Sequence, residues 1–235
     1  MKRTEFLAAT ASLAAASGAV ADAQSVPGGS NVVERLAQFD IAAFEKIVGR
    51  PAQIRQLFEQ IAFKPGLWNN VKNALNGLQF GYGHAAGDIA IAICGHGPSS
   101  AYTYSDYVWD KYKIGDFVGA KDAQGNTIAG NIWLKAKAPF DASADPDDAN
   151  GCYQDTQIET LQKRGVIVLT CHTAVEEQSK ALVKAGNAPG GMTPKDVAND
   201  ILTHLIPGAL VNPSMVATVA VLQKVHGYTY TALTF

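Results

Sequence analysis

The chain predicts an α/β fold, a three-layer α/β/α sandwich around a mostly parallel sheet of about five strands. Three observations carry this. The runs Asp88 to Cys94 and Val166 to Cys171 are almost wholly apolar and rich in β-branched residues, as strands buried on both faces are. Segments with helical spacing alternate with such runs, which calls for parallel strands joined by crossovers. With 47% hydrophobic residues among 235, the chain also has enough apolar surface for one full core.

The elements follow in order. Lys2-Arg3, the alanine-rich apolar stretch Phe6 to Val20 and the small residues Ala21-Asp22-Ala23 read as a signal peptide cut after Ala23, since the apolar stretch is too short to span a bilayer. Arg3-Thr4-Glu5-Phe6-Leu7 is near the twin-arginine pattern with Thr4 in the second arginine's place, so the export route stays open. Gln24 to Asn31 reads as a linker, and one domain, 32–235, follows. Val32 to Val48 is amphipathic with a break at Asp40, and Gly49-Arg50-Pro51 ends it. Gln53 to Phe63 fits helix or strand, with a strand favoured at its end. Pro65-Gly66 opens a helix carrying Leu67, Val71, Leu75 and Leu78 on one side.

After the Cys94 strand, 95–153 reads as an insertion. In it Tyr102 to Tyr112 is expected to be helical, Asp122 to Asn126 a turn, and the acidic run Asp141 to Asn150 a solvated loop, because its spacing lacks an EF-hand's ligands. A helix, Gln154 to Arg164, leads into the Cys171 strand. Then come two helices, the first beginning near Ala174 behind a Thr173/Glu176 capping box and the second capped by Thr193 and Asp196. Ala209 to Val211 is a short strand. Ser214 caps a helix with Val216, Val219, Leu222 and Val225 as its buried stripe, Gly227 ends it, and Tyr228 to Phe235 closes the sheet.

Charge and cysteines narrow the function. A net charge of −2 with scattered lysines and arginines excludes nucleic acid as a partner. No stretch after the signal peptide is apolar for long enough to span a membrane, so the expected location is the periplasm or the medium. Cys94, Cys152 and Cys171 are an odd number and too few for a disulfide framework. Cys171 ends a buried strand just ahead of a helix, whose N-terminal amides favour a thiolate, and His172 adds to that when protonated. Cys94 has a looser exit, so Cys171 is expected to be the activated thiol. The bland alternative, a structural buried cysteine, weighs about equally.

The ordered series Leu161-Gln162-Lys163-Arg164-Gly165-Val166, Cys171-His172-Thr173-Ala174, Leu205-Ile206-Pro207-Gly208, Val211-Asn212-Pro213-Ser214, and Gln223 with Gly227-Tyr228-Thr229-Tyr230 resembles the DsrE-like family of sulfur-relay proteins. Asn73-Ala74-Leu75-Asn76 followed by the Cys94 strand fits the same pattern. The resemblance implies a three-layer fold, a homo-oligomer such as a trimer or hexamer, and Cys171 as a carrier of sulfur in persulfide form. This chain departs from the family in its export, its segment before Pro65 and its insertion, so fold transfers better than function.

Four constellations compete at the expected edge of the sheet. Cys171 and His172 are the candidate catalytic residues of a thiolate carrier, with Cys94, Gly95, His96, Gly97 and Thr173 around them as the binding edge. Alternatively, Cys94, His96, Cys171, His172 and His84 gather around a soft metal, or Cys94 and Cys171 pair as a disulfide. Ser214 or Thr170 as a hydrolase nucleophile is the fourth, against which stands the missing Gly-x-Ser-x-Gly elbow. His204 and His226, near helix ends, read as dipole partners. The expected function is sulfane-sulfur transfer with a small sulfur compound or a thiol protein as partner and no cofactor. A non-catalytic ligand or metal binder is the alternative, and a purely structural oligomer a third.

Overall fold

The computed structural model describes residues 34–233; the expected signal peptide and linker lie outside them. Five strands form one all-parallel sheet: β1 (Ile54–Gln60), β2 (Ile89–Gly95), β3 (Ile167–Cys171), β4 (Leu210–Asn212) and β5 (Thr229–Ala232), in the spatial order β4-β3-β2-β1-β5. This is the predicted sandwich. The ambiguous Gln53 to Phe63 segment is strand β1, three residues earlier than expected, and it lies inside the sheet between β2 and β5.

Side-chain size decides which helices go where. Along β2 the residues alternate Ile89-Ala90-Ile91-Ala92-Ile93, and alternate residues of a strand face opposite ways. The isoleucines pack with Leu67, Trp68, Val71 and Leu75 of α2 (Gly66–Asn76; α1 is Ile41–Val48) and with Ile158 and Leu161 of the later helix Ile158–Lys163. The alanines, with Leu57, Cys94, Leu169 and Cys171, pack under Phe44 and Val48 of α1 and under Met215, Val219 and Leu222 of the last helix, Met215–Lys224. α1 starts where Asp40 breaks the preceding segment, its carboxylate accepting from Ala43 N at 2.9 Å. At its far end Val48 O accepts from Arg55 Nη1 (2.8 Å) and from Tyr228 Oη (2.9 Å), which ties α1 to the sheet.

The insertion departs from expectation. A 3-10 turn occupies Gly97–Thr103, Tyr104 forms an isolated bridge with Leu205, and only Asp106–Lys111 (α3) is α-helical, with Ile114–Val118 as α4. Tyr104, Val108, Trp109 and Tyr112 are all fully buried in a third core with Val175, Leu182, Val197 and Ile201. Of the large apolar side chains from Tyr102 to Trp109, only Tyr107 is exposed, at 45%. Asn131 fixes the insertion by donating to Tyr102 O and Tyr104 O, each at 2.9 Å. The acidic run is exposed, and its aspartates accept from amides two residues on, as Asp141 does from Ser143 N. The helix leading into β3 is Ile158–Lys163, α5.

After β3 come α6 (His172–Lys184), α7 (Pro194–Thr203), β4, α8 (Met215–Lys224) and β5, the expected order. α7 has its predicted capping box. The buried face of α8 is Met215, Thr218, Val219 and Leu222, whereas Val216 and Val225 are each 67% exposed, so the predicted stripe is rotated. Strands β1 to β4 are laid down in one direction and the chain then crosses back to add β5 beside β1. With right-handed crossovers that reversal sends α8 to the face opposite α2 and α5. The exits of β3 and β4 thus diverge, and such divergence opens a crevice at the carboxyl ends of a sheet. Among the described residues no helix is long and apolar enough to cross a membrane.

Candidate functional site

Cys171 lies at that divergence, buried beneath the surface. It is the last residue of β3 and the N-cap of α6, so strand passes to helix with no loop between. The predicted start near Ala174 and the Thr173/Glu176 capping box are corrected accordingly. Thr173 instead donates its hydroxyl to Pro213 O at 2.9 Å and so ties α6 to the β4–α8 turn. The cap of α6 is the sulfur: Cys171 Sγ accepts from Ala174 N at 3.4 Å. It also accepts from Met215 N at 3.3 Å, at the start of α8. Ser214, in the N-cap position of α8, makes no side-chain cap bond, because the thiol of another strand takes its place.

One sulfur therefore meets two helix N-termini, whose partial positive charge favours an anion. Burial works the other way. Cys171 is 4% exposed, and desolvation pushes its thiol pKa up; the amides of Ala174, Met215 and Thr173 pull it down without reversing the shift, and Glu177 pushes it up further. The expectation of an acidic, pre-ionised Cys171 is thus corrected: a helix does start directly behind the cysteine, but burial outweighs its amides. Cys94 is more extreme. It is completely buried, and desolvation, with Glu59 beside it, holds it protonated far above the usual thiol range.

The edge residues divide between two places. Gly95 pairs with Thr170 across the sheet, and its missing Cβ leaves room for Ser99 Oγ, 3.1 Å from where that atom would be. Gly97 sits at φ +57° against Ile61, and its carbonyl accepts from Gln178 Nε2. His96 turns toward β1, where its Nε2 lies 3.1 Å from Glu59 Oε1, and Tyr230 donates its hydroxyl to the other Glu59 oxygen. His172 turns away from the sheet. Its Nδ1 is 2.7 Å from Glu34 Oε1 and its ring meets Phe39 edge-on at 5.4 Å.

Two constellations do not assemble. Cys94 is opposite Leu169, so Cys171 is its diagonal neighbour two residues on, about 7–8 Å away and out of disulfide range. All three cysteines are free, and Cys152 Sγ donates to Asp141 O in the insertion. The thiols and His84 do not gather around a metal either: among the described residues no cysteine belongs to a group of three donors within reach of one ion, and His84 precedes β2, at the other end from Cys94. Thr170 is fully buried. His204 meets Asp200 O from the end of α7, and His226, the second histidine near a helix end, pairs with Glu45 of α1 at 2.8 Å.

Sequence reasoning missed Glu34, Glu59 and Tyr230, whose partners are 138, 37 and 171 residues distant. Comparison of the chain with family models, with curated proteins and with solved structures returned no match.

Proposed function

We propose that this chain is an exported DsrE-like protein that accepts sulfane sulfur on Cys171 and passes it to a second thiol. The observation that carries the reading is the sulfur of Cys171 held between two helix N-termini at the divergence of β3 and β4, where charge arising on sulfur meets two fixed amides. The parallel sandwich agrees with the fold that the family resemblance implies. In the proposed step Cys171 thiolate attacks the outer sulfur of a low-molecular-weight persulfide. The donor's S–S bond breaks, its inner sulfur leaves as a thiolate that takes up the proton lost by Cys171, and Cys171 holds the outer sulfur as a persulfide with no net oxidation. Because the thiol is buried and protonated, loading requires the crevice to open and is slow at neutral pH.

Intact mass spectrometry after exposure to polysulfide tests this. The expected result is a gain of one sulfur atom per chain, lost in Cys171→Ser and kept in Cys94→Ser. No gain, or a gain that survives Cys171→Ser, overturns the assignment. The second reading, a small-ligand binder, is favoured by two clefts flanking His172, of about 420 and 560 Å³. Its mark is a small molecule retained in the native mass spectrum of a chain that takes up no sulfur. As a further part of the proposal the protein assembles as a homo-oligomer, so light scattering at micromolar concentration returns a multiple of the chain mass; a single-chain mass rules this out.

A further inference from the structure

We propose that Glu34, His172 and Glu176 form a binding site for one divalent transition-metal ion, independent of sulfur chemistry at Cys171. One donor atom from each residue lies within 4.8 Å of the other two, so a single ion can reach all three. His172 and Glu176 are held one helical turn apart on the same face of α6, as residues four apart are. Glu34 comes from the segment before α1 and presents Oε1 to His172 Nδ1 at 2.7 Å. The side chains of His172 and Glu34 are 16% and 12% exposed, so these two donors are largely shielded from water.

A second observation points to a ligand. Glu34 Oε2 is buried and has no hydrogen-bond partner among the described residues. A buried carboxylate oxygen without a partner is costly, and a cation satisfies it. Glu34 and Glu176 thus set two carboxylates beside one imidazole.

The donor set decides the class of metal. One imidazole nitrogen and two carboxylate oxygens suit zinc, manganese or ferrous iron, and contain no soft thiolate of the kind that selects monovalent copper. Three protein donors leave a position open in a tetrahedral shell. His172 and Glu176 also line the larger cleft, of about 560 Å³, together with Gln38, Lys180, Thr193 and Asn199.

The test is calorimetric titration of the chelator-treated protein with zinc, with circular dichroism to check that each variant is folded. The expected result is one zinc per chain, with affinity reduced in His172→Ala, Glu34→Gln and Glu176→Gln by at least the roughly 10–100-fold that loss of even an outer partner of a metal ligand costs. Cys171→Ser is expected to bind as the parent does. X-ray absorption at the zinc edge is expected to show nitrogen and oxygen neighbours only. The proposal fails on absence of saturable binding, on unchanged affinity in folded Glu34→Gln and Glu176→Gln, or on sulfur in the zinc shell.

Discussion

Gly115→Ala is expected to lower the unfolding free energy by about 3 kcal/mol or more. A β-carbon at Gly115 would lie 1.9 Å from Ile128 O, 2.9 Å from Thr127 Cγ2 and 3.0 Å from Ile128 C. The obstruction is main chain, so no rotamer change relieves it, and α4 must separate from the 127–128 segment that covers it. Two neighbouring cases calibrate the effect. At Gly119 φ is +68° with open space where the β-carbon would go, so alanine there costs only the left-handed penalty of about 1–2 kcal/mol. At Gly87 no atom lies within 4 Å and φ is ordinary, so alanine is neutral to within about 0.5 kcal/mol. Urea unfolding ranks the three variants, and in a chain of this size the first should lose on the order of 10 °C in Tm. A Gly115→Ala protein as stable as the Gly87 variant would show that the insertion's inner turn is loosely packed.

The second large effect is a loss of stability in alkali. Burial pushes up the Cys94 thiol, with Glu59 adding to it, and likewise the Tyr102 and Tyr104 hydroxyls. Tyr230, bonded to Glu59, is pushed up to about 12. Each group ionises in the unfolded chain before it does in the folded one. Its contribution is therefore whole below the unfolded pKa, about 8.5 for cysteine and 10 for tyrosine, and falls as pH rises toward the folded value. At about 1.4 kcal/mol per group per pH unit, Cys94, Tyr102 and Tyr104 together remove about 6 kcal/mol by pH 11, a large share of a typical domain's stability. The urea midpoint should begin to fall near pH 8.5, and Cys94→Ala, which places another alanine on the alanine face of β2, should make the first part of that fall shallower. A midpoint flat to pH 10, or the same slope in both proteins, would contradict the assignment.

Much of the architecture was legible because β2 and β3 announce themselves. Apolar runs between helical segments leave few ways to fold, and the Ile/Ala alternation of β2 already separates a bulky face from a thin one. The insertion was harder. Tyr102 to Tyr112 has helical spacing, but Tyr104 is drawn into a bridge with Leu205, a contact 101 residues away that outweighs local preference. At the site, the position of Cys171 and the helix after it were readable, while its state was not, since the sum of desolvation and amide bonds depends on how closely α8 covers it. Placing the start of α6 two residues late also hid a signal: with His172 inside the helix, Glu176 falls one turn along on the same face. Glu34 left no such trace, because nothing local ties it to α6.

The sulfur of Cys171 is also a fastener. It joins the first turns of two helices that belong to different crossovers; Ala174 and Met215 share its core, while α6 also reaches the third core through Val175 and Leu182. An atom added to that sulfur competes with the amides of Ala174 and Met215 for its lone pairs, and so loosens the link between the first turns of α6 and α8. Chemistry at one atom thereby reaches the rim of the sheet, where Thr173 clamps the β4–α8 turn. A neighbouring molecule resting on that rim would feel whether the sulfur is bare or occupied without touching it.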